Sequence, residues 1–157
     1  MPEPEARIRL LGLGNEMLAD DAFGILVARE AERLFPRQVE AVCSSAAGFN
    51  LLDDLVGTSQ LIVVDTIVTG SVSPGTLHVF DLDHLTTTPS LAPHSLGLGE
   101  VLAVGKQLSL NMPDKATVIA VEATDCVTIG GAMHPAVRLA ISGALDLVRS
   151  FVVNLKG

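Results

Sequence analysis

The sequence predicts an α/β fold, a mostly parallel sheet with helices on both faces. Three observations lead there. Short apolar runs alternate along the chain with longer stretches whose apolar residues recur at helical spacing, the order that buries a sheet between helices. QLIVVDTIV (60–68) shows almost no alternation of polar and apolar residues, as a parallel strand covered on both faces should. KATVIAVEA (115–123) is a second buried run of the same kind.

The first six residues read as a loose tail and RIRLLGL (7–13) as the first strand. DAFGILVAREAERLF (21–35) carries Phe23, Leu26, Val27, Ala31 and Leu34 at the spacing of an amphipathic helix, and Pro36 stops it. VEAVCS (39–44) is a second strand, FNLLDDLV (49–56) a short helix, and QLIVVDTIV the third strand. Ser73-Pro74-Gly75 marks a turn, after which GTLHVFDL (75–82) reads as a strand suited to antiparallel pairing at an edge. Residues 83–95 form a loop rich in Thr, Pro and His. A helix is expected from Ser95, a candidate N-cap, through SLGLGEVLAVGKQLSL despite its three glycines. KATVIAVEA follows as a strand, and PAVRLAISGALDLVRSFVVNL closes the chain as a helix with Pro135 in its first turn. No repeat, low-complexity segment or linker divides these elements, so residues 1–157 read as one domain.

Composition narrows the function. At 157 residues a chain can bury roughly two-thirds of its unfolded surface around one core. Apolar residues make up 48% and charged residues 18%, the balance of a globular protein. Mean hydropathy is high at +0.48, yet no apolar stretch approaches the roughly 20 residues a membrane span requires. The acidic, proline-containing start MPEPEAR is unlike a signal peptide, and a cytoplasmic location is expected. A net charge of −8, with ten Lys and Arg scattered along the chain, argues against nucleic acid or an anionic membrane as partner. Cys43 and Cys126 have neither CxxC spacing nor a second pair, and read as buried thiols.

Three features do not fit a purely structural account. In LLGLGNEMLADDAFG (10–24), Gly12 and Gly14 begin like a dinucleotide fingerprint. However, Met17 stands where the third glycine belongs, and Cys43-Ser44-Ser45 where a ribose-binding acid would stand. The paired Asp20 and Asp21 come second: helix capping accounts for one aspartate and does not require the other. Third, Asp65 interrupts LIVVDTIV, where an unpartnered carboxylate would cost several kcal/mol. At the carboxyl edge of a parallel strand, Asp65 also stands where α/β proteins place ligands.

Topology joins these residues. In a doubly wound sheet of order 2-1-3, strands one and three are neighbours about 4.8 Å apart and the chain leaves them towards opposite faces. Asp20, Asp21 and Asp65 then converge on one crevice, which needs a cation or a proton to neutralise it. His94, in the long loop, is the histidine free to reach over the sheet edge; His78, His84 and His134 read as structural or solvated. One imidazole and two carboxylates suit a borderline divalent ion such as Ni2+, Zn2+ or Mn2+. No GxSxG, HExxH or Walker loop offers another scheme. An aspartate pair sharing a proton remains a formal alternative.

GLGNEMLADDAFG, LIVVDTIVTG, PHSLGL and VIAVEATDCVTIGGAMHPAV together resemble the hydrogenase maturation proteases, over nearly the whole chain from Arg7. These endopeptidases trim the C-terminal tail from the large-subunit precursor of [NiFe] hydrogenases. The resemblance implies a three-layer α/β/α sandwich with one antiparallel edge strand. It also implies that Asp21, Asp65 and His94 meet a Ni2+ ion carried by the precursor, so that the three residues sense a metal the substrate brings. Asp20 or Asp21 is a candidate general base. Three positions depart from the family's pattern: Ala22 follows the acidic pair in place of glycine, Ser44–Gly48 keeps only the last residue of a DGGTxG loop, and Thr124 replaces the proline of GxEP. Two readings from other classes stand beside this one. One is a non-cleaving, metal-sensing chaperone of hydrogenase assembly. The other is a nucleotide-binding α/β domain using Gly12 and Gly14.

Overall fold

The computed structural model describes residues 7–81 and 97–154. In chain order these form β1 (Ile8–Leu13), a 3-10 turn (Ala19–Ala22), α1 (Phe23–Leu34) and β2 (Val39–Ser44). A second 3-10 turn (Gly48–Leu51) runs into the short α2 (Leu52–Leu55), followed by β3 (Gln60–Ile67) and β4 (Leu77–Asp81). We number the remaining elements α3 (Leu98–Gln107), β5 (Lys115–Glu122) and α4 (Pro135–Asn154). The five strands lie in the order β2-β1-β3-β5-β4, all parallel except β4, which pairs antiparallel with β5 at the edge.

Strand alternation sorts the apolar side chains into two cores. Ile8, Leu10, Ile62, Val64, Ile119 and Val121 pack with α1 and α4. Leu11, Leu13, Leu61, Val63, Val118 and Ala120 pack with α2 and α3 on the opposite face. Because each strand feeds both cores, the sequence shows the near-continuous apolar runs that predicted this architecture. The α/β class, the helices on both faces and the antiparallel edge strand are all found.

Glycines bring α1 close to the sheet. A Cβ at Gly12 would lie 2.4 Å from the carbonyl oxygen of Gly24, and one at Gly24 would lie 2.4 Å from that of Val64. The start of α1 therefore rests on the backbone of β1 and β3 with no side chain between. Gly14 has a different task. Its φ of +147° suits glycine, and a Cβ there would fall 2.0 Å from the carbonyl oxygen of Asp21.

The boundaries differ from expectation at three helices, the first being the short helix expected over 49–56, which divides into the 3-10 turn Gly48–Leu51 and α2. The α-helix expected from Asp21 begins at Phe23, behind the 3-10 turn. On α3 the N-cap is Gly97, at φ +77°, and the helix stops at Gln107 instead of continuing to Leu110. Ser109 takes a left-handed φ of +60°, its N–H bonds the Lys106 carbonyl, and Leu110 N–H bonds that of Gly105. That is the hydrogen-bond pattern of a Schellman stop, here with serine in the place usually held by glycine. Ser95 and the expected loop 83–95 lie outside the described residues, as does the tail of residues 1–6.

One feature of register prepares the site. β1 stays in register with β3 only as far as Gly12–Val64, whereas β3 and β5 remain paired to Ile67–Glu122. Asp65, Thr66 and Ile67 therefore extend past the last partner that β1 supplies. The resulting notch in the sheet lies at the switch point between β1 and β3, and its residues are buried.

Candidate active site at the carboxyl edge of the sheet

Both aspartates of the pair sit in the 3-10 turn, and neither caps a helix: no side-chain bond caps that turn or α1. The capping reading is corrected here. Both are buried, Asp20 at 1% exposure and Asp21 at 3%, and their side chains serve different neighbours.

Asp20 faces the loop after β5. Its Oδ1 accepts the His134 N–H at 2.7 Å. Its Oδ2 accepts the N–H groups of Thr124 and Asp125 at 2.9 and 3.1 Å, and the Thr124 hydroxyl at 3.1 Å. Burial alone would raise this carboxyl, but the four donors outweigh it and hold Asp20 below its ordinary range. The backbone joins the same contact, with Asp20 N–H donating to the Asp125 carbonyl at 2.8 Å. A short antiparallel bridge between Leu18 and Ile129 continues the seam.

Asp21 faces β1 and β3. Its Oδ2 accepts Asn15 N–H at 2.9 Å, and its Oδ1 accepts the Thr66 hydroxyl at 3.2 Å. Asp65 stands inside β3, opposite Ala120 in β5 and fully buried. Its Oδ1 accepts the Thr66 N–H at 2.7 Å. Thr66 thus bonds both carboxylates, one through its side chain and one through its backbone. Of the three aspartates expected to share one crevice, Asp21 and Asp65 both bond Thr66, whereas Asp20 is bonded to the loop after β5.

Cys126 completes the group. Its thiol donates to Thr66 Oγ1 at 3.5 Å. Burial first, then the charges of Asp21, Asp20 and Asp65, push this thiol up to about 11 against the opposing Thr66 bond. These surroundings disfavour the thiolate of Cys126. The expectation of two buried cysteines also needs correcting, since Cys126 is half-buried and Cys43 exposed. Cys43 lies on β2, the edge strand beside β1, where one side lacks a neighbour.

Glu122 is a buried carboxylate that sequence reasoning did not place. It ends β5, and its Oε2 accepts the N–H groups of Thr69 and Gly70 at 2.8 and 3.3 Å. Its Oε1 accepts the Thr69 hydroxyl and lies 3.5 Å from His78 Nε2. Burial raises this carboxyl too, and the Thr69 and Gly70 donors, with His78, bring it below its ordinary range. An acid terminating the apolar run VIAVE was the available signal, the same anomaly that marked Asp65.

His134 is structural as expected: its Nδ1 accepts the Ala136 N–H at 3.0 Å in the first turn of α4. His94, the proposed third metal-facing residue, lies outside the described residues. Among the described residues, no group of three or more His, Cys, Asp and Glu is arranged to hold a metal ion by itself. A cleft of about 740 Å³ lies at the other end of the sheet, lined by Gln60, Lys106, Asp114 and Lys115 among others. Asp20, Asp21, Asp65 and Glu122 do not line it.

A family model described as hydrogenase maturation protease matches residues 25–150. The chain belongs to that family. Its members are peptidases by description, and the relatives agree. The Hydrogenase 2 maturation protease of Escherichia coli is 33% identical over 119 residues, 73% of this chain and 72% of that protein. The hydrogenase expression/formation protein HupD of Rhodobacter capsulatus is 32% identical over 162 aligned positions, covering 98% of this chain and 76% of its own length. Among solved structures, the hydrogenase maturating endopeptidase HybD from E. coli superposes with a TM-score of 0.77 at 30% identity, covering 94% of this chain and 93% of that one. The [NiFe] hydrogenase maturation protease HybD from Thermococcus kodakarensis shares the fold, with a TM-score of 0.71 at 20% identity and coverage of 93% and 99%.

Proposed function

We propose that this protease removes the C-terminal extension of a [NiFe] hydrogenase large-subunit precursor after nickel insertion, in the cytoplasm. One observation carries the reading. Asp21, from the 3-10 turn after β1, and Asp65, from β3, both bond Thr66 where β1 no longer pairs with β3. Two buried carboxylates held together in that way suit a cation arriving with the substrate. The printed functions of the relatives supply the substrate class.

Asp21, Asp65 and His94 are the residues proposed to face the substrate's Ni2+. That ion would supply Lewis-acid polarisation next to the scissile bond. Asp21 is the candidate general base, held by Asn15 and Thr66. Asp20 is better suited to support: four donors already surround its carboxylate and favour its ionised form. In this reading it fixes the loop after β5 and takes no proton.

The test is the intact mass of the precursor, nickel-loaded and nickel-free, before and after incubation with the wild type, Asp21→Asn and His94→Ala. Loss of a C-terminal peptide from the nickel-loaded form alone, abolished by both substitutions, is the expected result. An unchanged mass with a stable complex would replace the protease by a metal-reading chaperone. Normal cleavage by Asp21→Asn would remove Asp21 from the site.

A further inference from the structure

We infer that Thr66 is a positioning residue for the two carboxylates of the notch and that Cys126 sets the direction of its hydroxyl. The inference rests on the reading of Asp21 and Asp65 given above. It begins from hydrogen-bond direction. The bond between Thr66 Oγ1 and Asp21 Oδ1 runs from the hydroxyl to the carboxylate oxygen and so uses the threonine proton. A hydroxyl has one proton to give, and the 3.5 Å contact with Cys126 must run the other way, from thiol to hydroxyl oxygen. The side chains form a series, Cys126 to Thr66 to Asp21, in which each donor has one place to point.

The backbone of the same residue reaches the second carboxylate, with Thr66 N–H bonding Asp65 Oδ1 at 2.7 Å. Thr66 is fully buried and lies on β3, the strand shared by both its neighbours in the sheet. Its position is therefore fixed by two ladders up to Val64 and by the β5 ladder beyond. A residue so placed sets the separation of Asp21 and Asp65 through one rigid unit, an arrangement that tunes how a site meets a cation.

The experiment compares wild type, Thr66→Val, Thr66→Ser, Cys126→Ala, the Thr66→Val/Cys126→Ala double variant and Asp21→Asn. Each is checked for folding by its melting temperature. Values of kcat and KM are measured on nickel-loaded precursor, and affinity on nickel-free precursor by calorimetry. Thr66→Val, equal in shape and lacking the hydroxyl, should lower kcat/KM by about 10- to 100-fold while affinity for the nickel-free precursor stays unchanged. Thr66→Ser should restore the rate to within about threefold, and Cys126→Ala should cost several-fold in the wild type and nothing further in Thr66→Val, as a serial arrangement requires.

Wild-type rates in Thr66→Val alongside an inactive Asp21→Asn would overturn the inference and leave the function intact. Equal losses in Thr66→Ser and Thr66→Val would overturn it as well, because packing of the methyl would then be the cause. Additive losses in the double variant would remove Cys126 from the series. Normal cleavage by Asp21→Asn would sink the reading of the site, and this inference with it.

Discussion

Among the described residues, four buried carboxylates stand at one edge of this sheet, and they fall into two regions. Asp20 and Glu122 are surrounded by donors from loops: His134, Thr124 and Asp125 for the first, Thr69 and Gly70 for the second. Asp21 and Asp65 are bonded by residues at the rim of the notch, and both meet Thr66. In the first region a carboxylate gathers backbone N–H groups that the end of a strand leaves without ladder partners, and so ties a loop down. In the second, one carboxylate from the 3-10 turn and one from β3 both bond the same strand residue. Burial of an acid in an apolar run therefore has two separate meanings, and the source of its donors tells them apart.

The change that destroys both regions at once should have the largest effect. Gly24→Ala puts a Cβ 2.4 Å from the Val64 carbonyl oxygen and 2.5 Å from that of Leu13. Neither contact can relax by turning a side chain, so α1 must lift away from β1 and β3, carrying the 3-10 turn with it. A loss of more than about 3 kcal/mol is expected, close to global unfolding. The check is whether the purified variant keeps a cooperative thermal transition. If it melts like the wild type, the close packing of α1 is not what positions the aspartates.

Asp20→Asn and Asp21→Asn test the division directly, since they make the same chemical change one residue apart. Asp20→Asn should destabilise the fold by about 3 kcal/mol, with cleavage reduced only as the folded fraction falls. Asp21→Asn should cost the fold only about 1 kcal/mol, because an asparagine can keep its oxygen on the Asn15 N–H, and it should abolish cleavage. Equal stability losses with equal activity losses would merge the two regions into one.

Acid should expose the same division through stability. Asp20 and Glu122 have folded-state values lowered relative to the unfolded chain. A lowered carboxyl contributes stability above its unfolded value, and that contribution disappears as pH falls through the folded one. Stability should thus hold above the unfolded carboxylate range, about pH 4, and decline below it. Denaturant midpoints at pH 6 and pH 3.5 provide the check: the deficit of Asp20→Asn relative to wild type should shrink at the lower pH. An unchanged deficit would mean that the charge of Asp20 is not what the donors stabilise.

The fold was legible because its signals are local and repeated. Each strand of the two-sided core carries its own apolar run, and α1 carries its own stripe and terminating Pro36. Asp65 and Glu122 were visible or nearly so, as charges where an apolar residue belonged. The division of labour between Asp20 and Asp21 was not legible, because it depends on Thr124, Asp125 and His134, more than a hundred residues away. Thr66 was hidden for another reason. Threonine is ordinary in a strand, and only the register that leaves it beyond the last residue of β1 shows that its hydroxyl meets a carboxylate. The family departure at Thr124 now has a physical account: its N–H and hydroxyl both bond Asp20, where a proline would give neither.

The smallest effect belongs to Glu122→Gln, and its size tests why Asp20→Asn is severe. Both oxygens of Asp20 accept backbone N–H groups, Oδ1 from His134 and Oδ2 from Thr124 and Asp125. Whichever way an asparagine is turned, its NH2 faces a fixed donor. Glu122 differs. Its two N–H donors both reach Oε2, while Oε1 meets the Thr69 hydroxyl and His78. A glutamine can keep its oxygen on the Thr69 and Gly70 amides and turn its NH2 towards the hydroxyl, whose proton is free to rotate away towards Ser71 Oγ. The expected cost is about 1 kcal/mol, read as a shift of the denaturation midpoint at unchanged m-value. A cost matching that of Asp20→Asn would show that lost charge, and not a mismatch of donors, governs both anchors.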